Sequence, residues 1–461
     1  MVKASFWLTP LALALASVAA SPANAQVNLL ANGTLTTSKA GYYADLSGLN
    51  YNLENGVPAN LLGGLGSGLA WASNNTFLAL PDRGPNAVSY DSLIDDTVSY
   101  VPRFHTVHMT LVPNTGSGLP FTLTPTLQRT TLLCSPTPLV YGSGDGLEVG
   151  PGVPVINTAA RRYFSGRSDN YSAAHNSGFA GDARLDSESI RISNDRSKVY
   201  VSDEYGPYVY EFDAATGARL RSFELPDHLY VANPKPVGDD ETADNTSGRT
   251  ANKGMEGLAI TPDGKTLVGI MQAALIQDKA EGGDAANLLR IEMIDIASGV
   301  TLHESAYLLT TGSGVSEIVA LNDHEFLVDE RDGKGLGDGS TAKVKQIFKI
   351  DLANAVDVIN LDGTDAAANA VSKTLFLDIV QVLNANGITS DQIPAKLEGV
   401  ALGADVNASG VKTHTLWVAN DNDFLQDYSG TNTNPNQFFV FGFTDNDLGG
   451  SEYIPQQFGS L

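Results

Sequence analysis

Glu188-Ser-Ile-Arg-Ile-Ser-Asn-Asp-Arg-Ser-Lys-Val-Tyr-Val-Ser-Asp-Glu-Tyr-Gly-Pro207 reads as a strand, a polar turn and a second strand that ends in acidic residues. Asn194-Asp195 supplies turn chemistry, because Asn and Asp tolerate the positive φ of a tight hairpin. The same plan recurs four more times. Ser67-Gly-Leu-Ala-Trp71 leads through Ser73-Asn-Asn75 to Phe77–Leu80 and Asp82-Arg-Gly-Pro85. Glu256-Gly-Leu-Ala-Ile260 leads through Pro262-Asp-Gly264 to Leu267–Ile270 and Gln272. Glu317-Ile-Val-Ala-Leu321 leads through Asn322-Asp323 to Phe326–Val328 and Asp329-Glu-Arg331. Glu398-Gly-Val-Ala-Leu402 leads, after a longer turn, to Leu416–Val418 and Asn420-Asp-Asn422.

A third apolar run often follows, as at Tyr208–Phe212, Leu289–Ile294, Gln346–Ile350 and Phe438–Phe443. Repeated hairpins with short third and fourth strands predict an all-β chain and, within it, a β-propeller. A parallel β-solenoid is the alternative and fits worse, because the repeat is long and made of hairpins. The copies start at 67, 188, 256, 317 and 398, and the first interval, 121 residues, has room for two units. The spacing therefore predicts six blades, with five or seven as the alternatives.

Composition agrees. With 46 Gly and 21 Pro against 17% charged residues, the 461-residue chain suits many short strands better than long helices. Acidic residues outnumber basic ones by 52 to 28, a net charge of −24, which argues against nucleic acid and anionic membrane as partners. Lys3, the apolar stretch Leu8–Ala20 and Ala23-Asn-Ala25 read as a secretory signal over residues 1–25, leaving 26–461 as one domain in the periplasm or outside the cell. No later segment reads as a membrane span, and a monomer is expected. Cys134 is the single cysteine, so no intrachain disulfide forms, and its apolar setting predicts a buried strand end rather than a nucleophile.

A hairpin returns the chain to the face it left, so the residue before the first strand and the residue after the second share a face. If the first strands line a central channel, Glu188, Glu256, Glu317 and Glu398 converge on one axis. Asp82, Asp203, Glu204, Asp329, Glu330 and Asp421 then surround them. Carboxylates packed so closely become protonated or take up cations. Oxygen donors suit a hard ion, Ca²⁺ first and Mg²⁺ second. The predicted ligands are Asp82, Glu188, Asp203, Glu204, Glu256, Glu317, Asp329, Glu330 and Glu398. The competing reading makes each Glu a cap for its own blade's amides. Arg83 and Arg331 follow acidic strand ends, where they serve either as phosphate donors or as ion-pair partners; with Glu256 and Glu317 they are the candidate catalytic residues. Lys253 lies three residues before Glu256. The stretch 157–186, with Arg161, Arg162, Arg167 and Arg184, is expected as a loop on the same face.

Leu80-Pro-Asp-Arg-Gly-Pro-Asn86, Ser187-Glu-Ser-Ile190, Ser202-Asp-Glu-Tyr-Gly-Pro207 and Gly254-Met-Glu-Gly-Leu258 resemble the exported phytase-like family, described by esterase-like activity of phytase. The resemblance spans roughly residues 60 to 445. It implies a β-propeller and hydrolysis of a phosphoester or a carboxylester; β-propeller phytases carry calcium on one face. No catalytic residue carries over position by position. There is no Gly-x-Ser-x-Gly elbow, Walker loop or His-Glu-x-x-His, and the seven His are scattered. Three functions stay open: a metal-dependent phosphoester hydrolase, a calcium-dependent esterase or lactonase acting on a small molecule, and a binding propeller without turnover.

Overall fold

Each of the five repeat copies opens an antiparallel sheet, four-stranded in the first four and five-stranded in the last, where Val406–Ala408 adds to the second strand. The computed structural model describes Met1 and residues 27–35, 37–85, 97–142, 152–167, 174–206, 208–235, 238–425 and 434–459. Apart from Met1, the expected signal peptide lies outside the described residues, as do Asn86, Pro207 and part of the 157–186 loop.

Blade 1 is Gly68–Ser73, Thr76–Leu80, Arg103–Pro113 and Phe121–Leu132. Blade 2 is Ser187–Ile192, Lys198–Asp203, Val209–Asp213 and Arg219–Ser222. Blade 3 is Met255–Ile260, Thr266–Met271, Leu288–Asp295 and Thr301–Leu308. Blade 4 is Gly314–Ala320, Glu325–Arg331, Lys345–Asp351 and Lys373–Asp378. Blade 5 takes Lys396–Leu402, Val411–Asp421 and Asn436–Phe443 from the end of the chain and Asn28–Leu35 from its beginning. The first strands are neighbours all the way round, the fifth against the first. The protein is a five-bladed β-propeller whose ring is closed by pairing the N-terminal strand, from Asn28 opposite Gly442 to Leu35 opposite Asn436.

Five blades replace the expected six. The 121-residue interval holds one long outer hairpin, Arg103–Pro113 with Phe121–Leu132. Among the described residues of 133–186, its only strands are Cys134–Ser135 and Arg162–Tyr163, two residues each. Cys134 is buried there, and burial pushes its thiol up, as expected of a strand end.

The innermost strands are packed on both faces, so Ser187–Ile192 and Met255–Ile260 are buried throughout rather than alternating. Apolar side chains of adjacent sheets fill the spaces between blades, for example Leu78, Leu80 and Phe104 of blade 1 against Ile190, Val199 and Val201 of blade 2. Near the axis the backbones approach too closely for side chains. A Cβ on Gly257 would lie 2.8 Å from Ile318 N, and one on Gly68 would lie 2.9 Å from Ile190 N.

Candidate functional site

Register places the site. In blades 2, 3, 4 and 5 the first hairpin contains a bulge: pairing jumps between Ser187 and Ile190, Met255 and Gly257, Val315 and Glu317, and Leu397 and Gly399. A bulge leaves a residue out of the ladder and re-aims it. The freed residues include Glu188, Glu256, Ser316 and Glu398. Glu317 is therefore not the counterpart of the other three glutamates; it occupies the position of Gly257 and Gly399, one residue deeper in the channel. At the ends of the second strands, the matching positions are Asp82, Glu204, Gln272, Arg331 and Asp421. Alternation along a strand sends the preceding residues, among them Asp203 and Glu330, the other way.

The freed residues and these strand-end residues line a cavity of about 250 Å³ at the mouth of the channel, together with Arg83, Asn252, Lys253 and Lys396. Six carboxylates there, Asp82, Glu188, Glu204, Glu256, Glu398 and Asp421, face four cations, Arg83, Lys253, Arg331 and Lys396.

The charges are unevenly matched. Arg331 pairs with Glu398 and donates from Nε to Ser316 Oγ at 2.6 Å, while its Nη2 lies 3.7 Å from Glu256. Lys396 pairs with Asp423 and, at 2.9 Å, with Asp421. Arg83 bonds Asp186 at 2.6 Å and Asn252. Lys253 donates only to the neutral Gln272, at 3.0 Å, and no carboxylate pairs with it among the described residues. On the acidic side, Glu204 Oε1 accepts from Gly254 N at 3.2 Å, but among the described residues no hydrogen-bond donor reaches the buried Glu204 Oε2, with Arg83 Nη1 3.9 Å away, or the buried Glu256 Oε2. Nothing among the described residues donates to Glu188. One oxygen each of Asp186, Glu188 and Glu204 lie within 4.8 Å of one another, as do those of Asp82, Asp421 and Asp423.

Burial, then mutual repulsion, pushes Glu188, Glu256 and Asp82 well above the usual carboxylate range. Burial pushes Glu398 up to about 7 against the pull of Arg331. Burial would also raise Asp421, but Lys396 beside it holds it below.

The structure brings together Asp82, Glu188, Glu204, Glu256, Glu398, Arg83 and Arg331. It places four other candidates elsewhere. Asp203 accepts from the amides of Asp186, Tyr205 and Gly206, so it braces a turn. Glu330 is taken by Tyr307, Thr311 and Lys373 behind the blade. Asp329 lies beneath Arg331, buried with no donor to either oxygen among the described residues, and burial raises it to about 8. Glu317 turns into the channel, where Leu258 N and Ile318 N each donate to it at 3.0 Å and Ser189 Oγ donates at 2.8 Å. This is the capping role set against metal binding.

Arg191 meets Glu317 at 3.0 Å and donates to the carbonyls of Leu69, Ile190, Ile318 and Val400. Those carbonyls belong to four of the five first strands, so the pair bolts the channel shut beneath the cavity. Arg167 and Arg184 of the preceding loop pair with Glu54 and Glu241, outside the cavity lining.

Of the other polar groups here, the repeat pattern marks Gln272 as a strand end but gives no role to Asp186, Asn252 or Lys396. Lys396 carried a signal: a lysine stands two residues before Glu398, much as Lys253 stands three before Glu256.

The fold and the cavity define a five-bladed propeller with an acidic and basic pocket over a closed channel. The description "Phytase-like: Esterase-like activity of phytase" matches residues 60–424, and the chain belongs to that family. A relative from Arthroderma benhamiae, described as an uncharacterized secreted protein, is 30% identical over 321 residues, which span 59% of this chain and 59% of that one. Among solved structures, the PQQ-bound aldose sugar dehydrogenase of Streptomyces coelicolor aligns at 12% identity and a TM-score of 0.34, covering 92% of this chain and 100% of that one. The Dos1 propeller aligns at 9% identity and a TM-score of 0.28, covering 88% of this chain and 72% of that one. No helix among the described residues is long and apolar enough to cross a membrane.

Proposed function

We propose that the cavity is the active site of an exported, metal-dependent phosphoester hydrolase acting on small molecules. The observation that carries this is the pairing of opposites at one opening: among the described residues, buried carboxylate oxygens with no hydrogen-bond donor lie beside a lysine with no carboxylate partner. The donor set fits a hard divalent ion, Ca²⁺ before Mg²⁺. Glu188, Glu204 and Glu256, with Asp186, would hold it. Lys396 already occupies the cluster of Asp82, Asp421 and Asp423. A bound ion supplies Lewis acidity towards a phosphoryl oxygen and lowers the pKa of water.

The chain's own groups do the rest. Lys253 and Arg83 receive phosphate oxygens, and Arg331 offers the cavity whatever donors its pairing with Glu398 leaves over. Glu398, at about 7, is poised to exchange a proton near neutral pH. The Arg191–Glu317 bolt gives the pocket a floor, so substrate enters and leaves by one mouth. At about 250 Å³ the cavity is smaller than the usual pocket for a whole ligand, so it suits a phosphate head group with the remainder outside.

The test measures phosphate released from phytate and p-nitrophenyl phosphate in calcium and in EDTA, with p-nitrophenyl acetate alongside. Calcium-dependent release is expected. Lys253→Met should raise KM for the phosphoester about tenfold, the loss of roughly one charge-assisted bond. No release in either buffer removes the reading. Turnover of the acetate alone, indifferent to Lys253→Met, would assign the site to carboxylesters.

A further inference from the structure

A second group of titratable side chains lies on the outer two strands of blade 3, away from the cavity. Glu292, on Leu288–Asp295, and Glu304, on Thr301–Leu308, are direct cross-strand partners. Both are fully buried. Like charges placed directly opposite repel, and burial removes the water that would screen them. The surroundings satisfy only one of the two. Arg290 bonds Glu304 through Nη1 and is itself gripped by both oxygens of Asp278 at 2.8 Å. His228, in the short turn Asp227–Leu229 that leads out of blade 2, sets Nε2 2.7 Å from Glu304 Oε2. Glu292, at 0% exposure, receives no N–H or hydroxyl donor on either oxygen among the described residues and has only the Glu304 carboxyl within hydrogen-bond reach. One ligand atom each from His228, Glu292 and Glu304 lie within 4.8 Å of one another.

The geometry points to a binding site for a divalent d-block cation, Zn²⁺ first, held by His228, Glu292 and Glu304. One imidazole with two carboxylates is a donor set for such an ion, whereas Ca²⁺ takes six or more oxygens. Zinc bonds near 2.0–2.2 Å set tetrahedral donor atoms about 3.3 Å apart. The His228–Glu304 separation must therefore open by about 0.6 Å. The His228 side chain is 30% exposed and free to give that distance. Its exposed edge is also the way in for the ion and for a water as fourth ligand. The remaining groups orient the ligands: Arg290 fixes one oxygen of Glu304, and Asp357 Oδ1 accepts from Glu304 N at 3.2 Å. Burial, and next the neighbouring Glu304, push the Glu292 carboxyl well above the usual carboxylate range.

The test is equilibrium dialysis of the full chain, stripped with chelator, against Zn²⁺ at pH 7.5, with Co²⁺ as the spectroscopic probe. With Ca²⁺ in excess to occupy the central carboxylates, one equivalent of Zn²⁺ is expected to bind in wild type. That equivalent should be lost in Glu292→Gln and in His228→Ala, the latter a change at a turn residue whose side chain is 30% exposed. Co²⁺ should give visible absorption bands that both variants lack. Zinc uptake unchanged in the two variants would overturn the site. So would a wild type that binds none while Glu292→Gln melts higher, because the two carboxyls then simply share a proton.

Discussion

Replacing Arg191 with Met tests whether the channel is bolted. The side chain is buried and donates to four carbonyls, Leu69 at 2.7 Å, Ile190 at 2.6 Å, Ile318 at 3.0 Å and Val400 at 3.4 Å, besides facing Glu317 at 3.0 Å. Methionine keeps most of the volume and none of the donors. Removing one partner of a buried pair costs ~3–5 kcal/mol, because the other charge is left behind. The upper end applies, because the four carbonyls lose their donor as well. The expected loss is ~5 kcal/mol. Unfolding entropy near 2.1 cal/mol/K per residue comes to about 1 kcal/mol/K for this chain, so Tm should fall by ~5 °C. The damage should grow with pH, since Glu317, already raised to about 7 chiefly by burial, must ionise without its partner. Arg191→Met/Glu317→Gln removes the stranded charge and should recover ~2–3 kcal/mol of the loss, the coupling of a close buried pair. Calorimetry of the four proteins in EDTA at pH 6 and pH 8 gives the cycle. A single variant that melts within 1 °C of wild type, or a double variant no better than the single, would show that the blades hold the channel without the bolt.

The metal-free protein should lose stability as pH rises from about 4 to 8. Glu317 and Glu398 are raised to about 7 and Asp329 to about 8, so the native state keeps protons that the unfolded chain has released, and that stability disappears as each folded pKa is passed. Urea midpoints in EDTA across this range should fall, Asp329→Asn should flatten the part nearest pH 8, and calcium should flatten more; midpoints that rise refute the assignment. Separately, the tail after Ser451 crosses the opposite mouth of the channel. Ile454 N, Gln457 N and Gly459 N bond Leu321 O, Pro262 O and Asn194 O, and Phe458 packs 5.3 Å from Trp71. Truncation there should cost ~4–5 kcal/mol in melting experiments, about 1 kcal/mol per hydrogen bond plus the ring, and leave the cavity's hydrolysis unchanged.

What the sequence shows and hides follows from the range of each signal. The five hairpins were legible because strand periodicity and turn residues are local, and the five copies are the five blades. The count of six came from treating a long interval as missing repeats. Nothing local separates a blade from an outer hairpin of 11- and 12-residue strands followed by a loop, nor announces that Asn28–Leu35 supplies the last strand of blade 5. Convergence of Glu188, Glu256 and Glu398 was legible too, because position within a hairpin fixes the face. Glu317 was misplaced by one residue of register, since a bulge at Ser316 instead of at the glutamate leaves the pattern of apolar residues intact. That slip decides between ligand and cap. It carries Glu317 below the cavity to Arg191, whose role was equally invisible, since a lone arginine inside a strand shows nothing of the four carbonyls it will meet across the axis. Glycine at Gly68, Gly257 and Gly399 is the complementary half of the device. Side chains are absent from three positions at this level of the channel because a Cβ at each would press on the neighbouring first strand. The repeat is thus regular at the mouth, where each blade contributes a cavity residue, and broken one layer down, where a single ion pair takes the place of a ring of equivalent caps.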